Sequence, residues 1–253
     1  MINYSGFKNE YHSGKIHLYN GDCMDLLKQT PDKYYDLAIC DPPYGIGVAK
    51  MAYTQEGERP CKQKNGSSLT VKKTKYKKGE WDDEPPSVEW LNELLRVSKN
   101  QIIFGINYMN FHLRGGRIVW NKLVSNGISF SDCEIAYCSM NNRVDNVYFR
   151  WAGMIQGVYC GKDVKKAMVQ QGNKKLNEKR IHPTQKPVAL YKWLLQNYAK
   201  EGDTILDTHF GSLSIGIACH DMGFELTAIE LDEDYYEAGK KRLIEHQKQL
   251  KIF

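Results

Sequence analysis

Leu37-Ala38-Ile39-Cys40-Asp41-Pro42-Pro43-Tyr44 is the stretch whose reading decides the fold, an apolar run that stops at a proline pair. Neither proline can donate a backbone hydrogen bond, and each pushes the residue before it into an extended conformation. The run therefore reads as a buried parallel strand ending at its carboxyl edge. In open α/β sheets, ligands bind at that edge. Here it carries an acceptor carboxylate (Asp41), main chain with missing donors (Pro42, Pro43) and an aromatic plate (Tyr44). Such a set can accept both hydrogens of a planar amino group and stack on its ring. The plainer reading is a strand-ending turn with a solvated aspartate, and the rest of the chain has to decide between them.

Upstream, Lys15 to Asp22 places Ile16 and Leu18 in alternation before the turn Asn20-Gly21-Asp22, which predicts a strand ending at a carboxylate. A short helix from Met24 to Gln29 leads through Pro31-Asp32 to the strand before Asp41, giving a β-α-β unit. Downstream runs a long polar loop with no helical or strand period to about Lys78. Loops of that length in a compact domain are functional or disordered. Ser87 is placed to cap a helix with Val88, Leu91 and Leu95 on its apolar face. Gln101 to Gly105 reads as the next buried strand, and Arg117–Trp120 with Cys133–Tyr137 as an antiparallel pair at a sheet edge. A helix from Val188 to Ala199 follows, with Pro187 suited to its first turn.

The last third repeats the unit: strand Thr204–Asp207, turn Thr208–Ser212, helix Ser214–Met222, strand Leu226–Glu230. Glu230 ends its strand 23 residues after Asp207. Rossmann-like folds hold a nucleoside this way, with a small-residue turn that lets main chain approach and an acidic strand tip that receives the two ribose hydroxyls. No G-x-G-x-x-G is present, which disfavours a dinucleotide. The final helix begins acidic (Asp232, Glu233, Asp234) and becomes basic (Lys240, Lys241, Arg242), matching its dipole.

The 253 residues fit one α/β domain spanning 1–253, with insertions at about 45–80 and 161–181. No apolar run of membrane-spanning length and no signal-peptide pattern occurs, so neither a membrane nor secretion is expected. Seven cysteines, an odd number without C-x-x-C, point to a reducing cytoplasm and no structural metal. The net charge of +5 is unevenly spread: nine Lys/Arg face three acids between Gly45 and Glu80, and eight face two between Gly161 and Lys186. An acidic body with two basic segments suits a protein that grips a polyanion with loops; two solvated surface loops would have the same composition.

Asp41-Pro42-Pro43-Tyr44, His182-Pro183-Thr184-Gln185-Lys186-Pro187 and Asp207-Thr208-His209-Phe210-Gly211-Ser212 resemble, in that order, the catalytic, cofactor-flanking and S-adenosylmethionine motifs of the amino-methylating DNA methyltransferases. Catalytic first and cofactor last is the permuted β-class arrangement of bacterial and phage enzymes. Ribosomal RNA and protein-glutamine enzymes carry the cofactor turn first, which disfavours an RNA substrate. The resemblance spans roughly residues 15 to 245 and leaves the two basic segments unmatched. It implies a Rossmann-like methyltransferase fold with a mixed, mostly parallel sheet, a cytoplasmic enzyme of bacterial or phage origin, and double-stranded DNA as partner. It is also compatible with a homodimer.

The resemblance implies roles as well. Asp41 and the carbonyl of Pro42 would accept the two hydrogens of an adenine N6 or cytosine N4 amino group and aim its lone pair at the methyl donor. The target base would flip out and stack on Tyr44. For the cofactor, Glu230 would hold the ribose, Gly211 and Ser212 with Asp207 the methionine end, and Asp22 the adenine amino group; Lys186 would flank the methionyl part, and His209 counts among the cofactor-binding residues. Asp22 also reads as a turn residue, Asp207 as a helix cap, and Lys122 as either a phosphate contact or an ordinary strand lysine. The family's turn usually reads Asp-Pro-Phe-x-Gly-Ser-Gly; here Thr208 replaces Pro, His209 replaces Phe, and Leu213 stands for the second Gly. Leu213 must point away from the ligand or weaken its binding. Cytosine-C5 chemistry would need an attacking thiolate, and Pro60-Cys61 lies in what reads as structureless loop. The reaction implied is N6-adenine methylation in DNA, because an aspartate heads the motif. N4-cytosine methylation is the near alternative, and an inactive nucleic-acid-binding relic, motivated by Leu213, the distant one. Sequence choice would fall to the basic segments, with Gln170, Gln171, Asn173 and Lys174 as base-edge candidates. Residues 46 to 78 are expected to be disordered without DNA.

Overall fold

The computed structural model describes residues 2–50, 58–62, 68–72, 82–124, 131–152, 155–157 and 177–249. In chain order the strands are β1 (Asn9–Ser13), β2 (Ile16–Asn20), β3 (Tyr35–Cys40), β4 (Glu58–Lys62), β5 (Ser68–Lys72), β6 (Ser98–Phe104), β7 (Gly116–Asn121), β8 (Cys133–Cys138), β9 (Val144–Tyr148), β10 (Trp151–Ala152), β11 (Ile155–Gln156), β12 (Thr204–Asp207) and β13 (Glu225–Glu230). The helices are α1 (Cys23–Gln29), α2 (Val88–Val97), α3 (Val188–Tyr198), α4 (Ser214–Met222) and α5 (Glu233–Gln247). Among the described residues, no helix is long and apolar enough to cross a membrane.

One large sheet has the order β1-β2-β13-β12-β3-β6-β8-β7-β9. Its centre, β2 to β6, is parallel, as expected for strands apolar on both faces. Successive side chains of β3 alternate between two apolar layers. Leu37 and Ile39 join Ile102, Phe104 and Ile205 under Leu194 of α3, Ile217 of α4 and Leu243 of α5. Ala38 and Cys40 face the other way, with Ile103, toward Leu26 and Leu27 of α1 and Trp90 and Leu94 of α2. The caps are local. Ser87 Oγ accepts from the Trp90 amide at 3.1 Å, and Asp232 caps α5 as its acidic start predicts.

The last β-α-β unit inserts between the two strands of the first, so that β12 lies against β3 with Ile205 opposite Leu37. From β3 the chain crosses through α2 to β6 on one side, and from β12 through α4 to β13 on the other. Crossovers that diverge at a seam leave a crevice at its carboxyl end. Asp41 and the Thr208–Ser212 turn both follow directly from that seam.

Three expectations need correcting. β7 and β8 are antiparallel as predicted, but β9 pairs in parallel with β7 and takes the edge. β1 closes the opposite edge, where the sequence reads as a polar lead; its half-exposed residues carry no apolar alternation. Within the long polar loop, β4 and β5 form a two-stranded antiparallel ribbon, so Pro60 and Cys61 lie in a strand. The disorder expected over 46–78 falls in large part on residues outside those described, as do Gln170, Gln171, Asn173 and Lys174.

Candidate active site

Asp41 and Tyr44 leave the end of β3 together. The Tyr44 hydroxyl donates to Asp41 Oδ1 at 2.7 Å, and its ring stacks on Tyr108 with centroids 5.2 Å apart and planes 17° from parallel. The ring also rests on Gly105, which directly follows β6. A Cβ there would lie 2.1 Å from the ring, and φ is +70°, so this turn needs glycine twice over. Asp82 fixes the backbone that follows. Its Oδ1 accepts from the amides of Tyr44 (2.7 Å) and Gly45 (3.1 Å), and its Oδ2 from that of Val48 (2.8 Å). The pattern predicts none of Gly105, Tyr108 or Asp82 as site residues; the signal for Asp82 is an acid standing where a basic loop meets Glu84-Pro85-Pro86.

Lys186, expected to flank the methionyl part of the cofactor, is held in an ion cluster with Asp41. Its ammonium meets Asp41 Oδ1 at 2.5 Å, Glu134 Oε2 at 2.9 Å and the Tyr44 hydroxyl at 3.0 Å. It lies over the rings of Phe104 and Tyr44 and is 2% exposed. Lys122, at the end of β7, binds the other Glu134 oxygen at 2.7 Å. Two carboxylates and two ammonium groups thus balance in a nearly dry cluster, the condition under which buried charge is tolerable. Burial alone would raise Glu134, but Lys186 and Lys122 together outweigh it and bring the carboxyl to about 2. Burial pushes Asp41 up against the pull of Lys186, with the Glu134 charge adding to the rise. Burial opposes the charge on Lys186, and the two carboxylates overcome it and hold the ammonium. Glu134 is absent from the sequence-based site; its only sign is an acid within the apolar strand Cys133–Tyr137.

The second half of the site forms where β13 ends beside the β12 turn. Glu230 accepts from the Gly211 amide at 2.8 Å and the Asp232 amide at 2.9 Å, one on each carboxylate oxygen. Its own carbonyl accepts from Asn20 Nδ2 (2.8 Å) and the Gly21 amide (3.1 Å), which ties the tip of β13 to β2. Burial pushes the Glu230 carboxyl up to about 7. Gly211 has φ +48°, in the left-handed region. Burial brings His209 down to about 4 and His182 down to about 3, so both rings are neutral near pH 7.

A cavity of about 690 Å³ joins the two halves. Asp41, Pro42, Tyr44 and Lys186 line one end and Asp22, Glu230, Gly211, Ser212 and His209 the other, with His182 against Gly211. Asp22 is exposed at the rim and caps α1 through the Met24 amide at 2.8 Å. Asp207 is the exception. It is fully buried below the turn and does not line the cavity; Oδ1 accepts from the His209 amide at 3.0 Å, while Oδ2 has no hydrogen-bond partner among the described residues. Burial pushes its carboxyl well up. Leu213 does not line the cavity either. It adopts φ +56° at the start of α4, and its side chain lies fully buried where α4 and α5 meet, over Gly216 and Gly239. A Cβ on Gly216 would come within 2.7 Å of Leu213 Cγ, so the helix gives up a side chain to admit the leucine. Of the two outcomes expected for Leu213, the structure has the first: the side chain points away.

An open, mostly parallel sheet with a carboxylate at the tip of the strand beyond a glycine turn defines the Rossmann-like methyltransferase class. Comparison with known proteins narrows that class. A family model for N6/N4 DNA methylases matches residues 119–241. The type II methyltransferase M.HinfI of Haemophilus influenzae is 25% identical over 256 residues, covering 89% of this chain and 67% of its own. Among solved structures, the complex of M1.HpyAVI with SAM has a TM-score of 0.51 at 20% identity, covering 90% of this chain and 100% of the other. The cytosine-N4-specific PvuII DNA methyltransferase has a TM-score of 0.53 at 13% identity, covering 98% and 92%. At those identities the two structures speak for the fold alone. Residues 119–241 thus match a DNA methylase family model, and the relatives that match most of the chain are type II DNA methyltransferases.

Proposed function

We propose that the protein transfers a methyl group from S-adenosylmethionine to the N6 amino group of an adenine flipped out of double-stranded DNA. The single observation that carries this reading is the continuous cavity with Asp41-Pro42-Pro43-Tyr44 at one end and the Gly211–Glu230 contact at the other. The residues present fit the cofactor. Glu230 offers a carboxylate to a diol, Gly211 has no side chain to block approach, and the neutral rings of His182 and His209 add no positive charge beside a sulfonium.

Bound there, the cofactor supplies an electrophilic methyl group. The protein's own residues have to supply the nucleophile's geometry. An aromatic amino nitrogen is a poor nucleophile because its lone pair is delocalised into the ring. Acceptance of its two hydrogens by the Asp41 carboxylate and the Pro42 carbonyl draws the nitrogen toward tetrahedral geometry and frees the lone pair along one direction. The proton the nitrogen must then lose has Asp41 as the base within reach. A paired base hides its amino group, so the target has to leave the stack and find an aromatic face, and Tyr44 offers one once Tyr108 gives way.

The test is incubation of unmethylated genomic DNA with labelled S-adenosylmethionine, followed by mass spectrometry of the nucleosides. N6-methyladenine is the expected product. N4-methylcytosine would keep the mechanism and change the base; the absence of both, with cofactor bound, would overturn the reading.

A further inference from the structure

Leu213 stands in the left-handed region at the start of α4, with φ +56° and ψ 32°. A side chain strains that conformation, and such a residue keeps it only where its surroundings fix it from several sides. Two of the supports are local: the Leu213 amide donates to the Phe210 carbonyl at 2.7 Å, and the side chain is buried over Gly216 and Gly239. The third comes from α5. Nη1 of Arg242 donates to the Ser212 carbonyl at 2.8 Å and to Ser214 Oγ at 2.9 Å, and so grips the residues on either side of Leu213. Nη2 donates to Glu178 Oε2 at 2.8 Å. Glu178 is itself held: Oε1 accepts from the Val188 amide at the start of α3 (3.0 Å), and its own amide and carbonyl bond the Gln156 side chain at 2.8 and 2.9 Å. Burial pushes the Glu178 carboxyl up and the Arg242 guanidinium down, each against the pull of the other.

We propose that Arg242 is a positioning residue for cofactor binding: it holds the turn before α4 in the conformation that presents Gly211 and Ser212 to the cavity, and Glu178 holds Arg242. This rests on the function proposed above, which puts S-adenosylmethionine at that end. Neither Arg242 nor Glu178 lines the cavity, so both act only through the turn. The same turn supplies the Gly211 amide to Glu230, so a Leu213 released from its left-handed conformation shifts Gly211 and Ser212 against the strand tip as well. A glycine at 213 would take that backbone conformation without strain; with leucine there, the turn needs the hold from outside. The catalytic half has supports of its own, Lys186 at Asp41 and Asp82 at the Tyr44 amide.

The experiment reads the S-adenosylmethionine Kd by calorimetry, and kcat for methyl transfer to unmethylated DNA at saturating cofactor, for the full chain of wild type, Arg242→Met, Arg242→Lys and Glu178→Gln. Arg242→Met keeps most of the stem and removes every bond to the turn; its cofactor Kd is expected to rise by about tenfold or more while kcat stays within about threefold, because the bonds lost are charged ones in the cofactor half. Arg242→Lys keeps the charge but not the fork, and its Kd is expected to fall between those of wild type and Arg242→Met. Glu178→Gln leaves the guanidinium without its counter-charge and is expected to raise Kd by about threefold or more. A folded Arg242→Met that binds cofactor as tightly as wild type would make Arg242 a support of the fold alone and overturn the inference, and so would a kcat that falls as far as Kd rises. Should Arg242→Met fail to fold, Arg242→Lys and Glu178→Gln decide: wild-type Kd in both overturns the inference, and weakened binding in both supports it. A wild type that binds no S-adenosylmethionine sinks the function reading and the inference with it, whereas a wild type that binds it and variants that bind equally well sink the inference alone.

Discussion

Glu230 joins local chemistry to a measurable consequence. Its carboxyl is pushed up to about 7 by burial, although two backbone amides favour the charged form. In the proposed reading it accepts hydrogen bonds from a ribose diol, which only the ionised carboxylate can do on both oxygens. The sign follows directly: affinity is weak where Glu230 is protonated, below about pH 7, and rises to a plateau above it. Cofactor Kd is expected to tighten by about tenfold between pH 6 and pH 8, the ratio of ionised fractions for a group titrating at 7. His182 and His209 stay neutral across that window and add no titration of their own. Calorimetry on wild type beside Glu230→Gln tests this, and equal pH dependence in the two proteins would contradict it. Asp41, Tyr44 and Glu230 could be found in the sequence because each is fixed by the end of its own strand. Glu134 could not, because its meaning depends on Lys186, 52 residues away in the chain and adjacent only after β8 and the loop before α3 are placed. Leu213 read as a defect because the pattern records a missing glycine but not Gly216 and Gly239, which receive its side chain.

At the scale of the element, the segment that carries Tyr44 is held by one side chain. Asp82 satisfies three amides of the 44–48 loop and is 2% exposed, so Asp82→Ala leaves one buried and two half-buried donors without that partner. Each such donor costs about 1–3 kcal/mol. The expected outcome is a locally opened loop rather than an unfolded protein: amide exchange at Tyr44, Gly45 and Val48 should accelerate by at least about tenfold, or about 1.4 kcal/mol. Exchange in β12 and β13 should hardly change. Uniform acceleration across the sheet would mean that Asp82 supports the whole fold instead. The central strands were legible as apolar runs bounded by turns, and the helices from their caps. The edge strands β1 and β9 were not, since one-sided exposure and polar sequences such as Val144-Asp145-Asn146-Val147-Tyr148 leave too few apolar positions to reveal a period. The β4–β5 ribbon was missed because a run rich in Lys, Ser and Thr offers no apolar period to read.

For the molecule as a whole, the order of motifs along the chain and their order in space are different facts. The catalytic stretch precedes the cofactor stretch by more than 160 residues, and the sheet sets them side by side by inserting β12 and β13 between β2 and β3. Sequence pattern predicted the two β-α-β units, and resemblance supplied the permuted order. Neither predicted that Lys186 would reach Asp41. The central claim is that one cavity has two separable ends, chemistry at Asp41 and cofactor at Glu230. The most direct test is a calorimetric titration of S-adenosylmethionine into Asp41→Ala, alongside its methyl transfer to unmethylated DNA. The account predicts cofactor binding within about threefold of wild type together with loss of transfer by on the order of a thousandfold. Substantial transfer by Asp41→Ala, or loss of cofactor binding along with transfer, would contradict it.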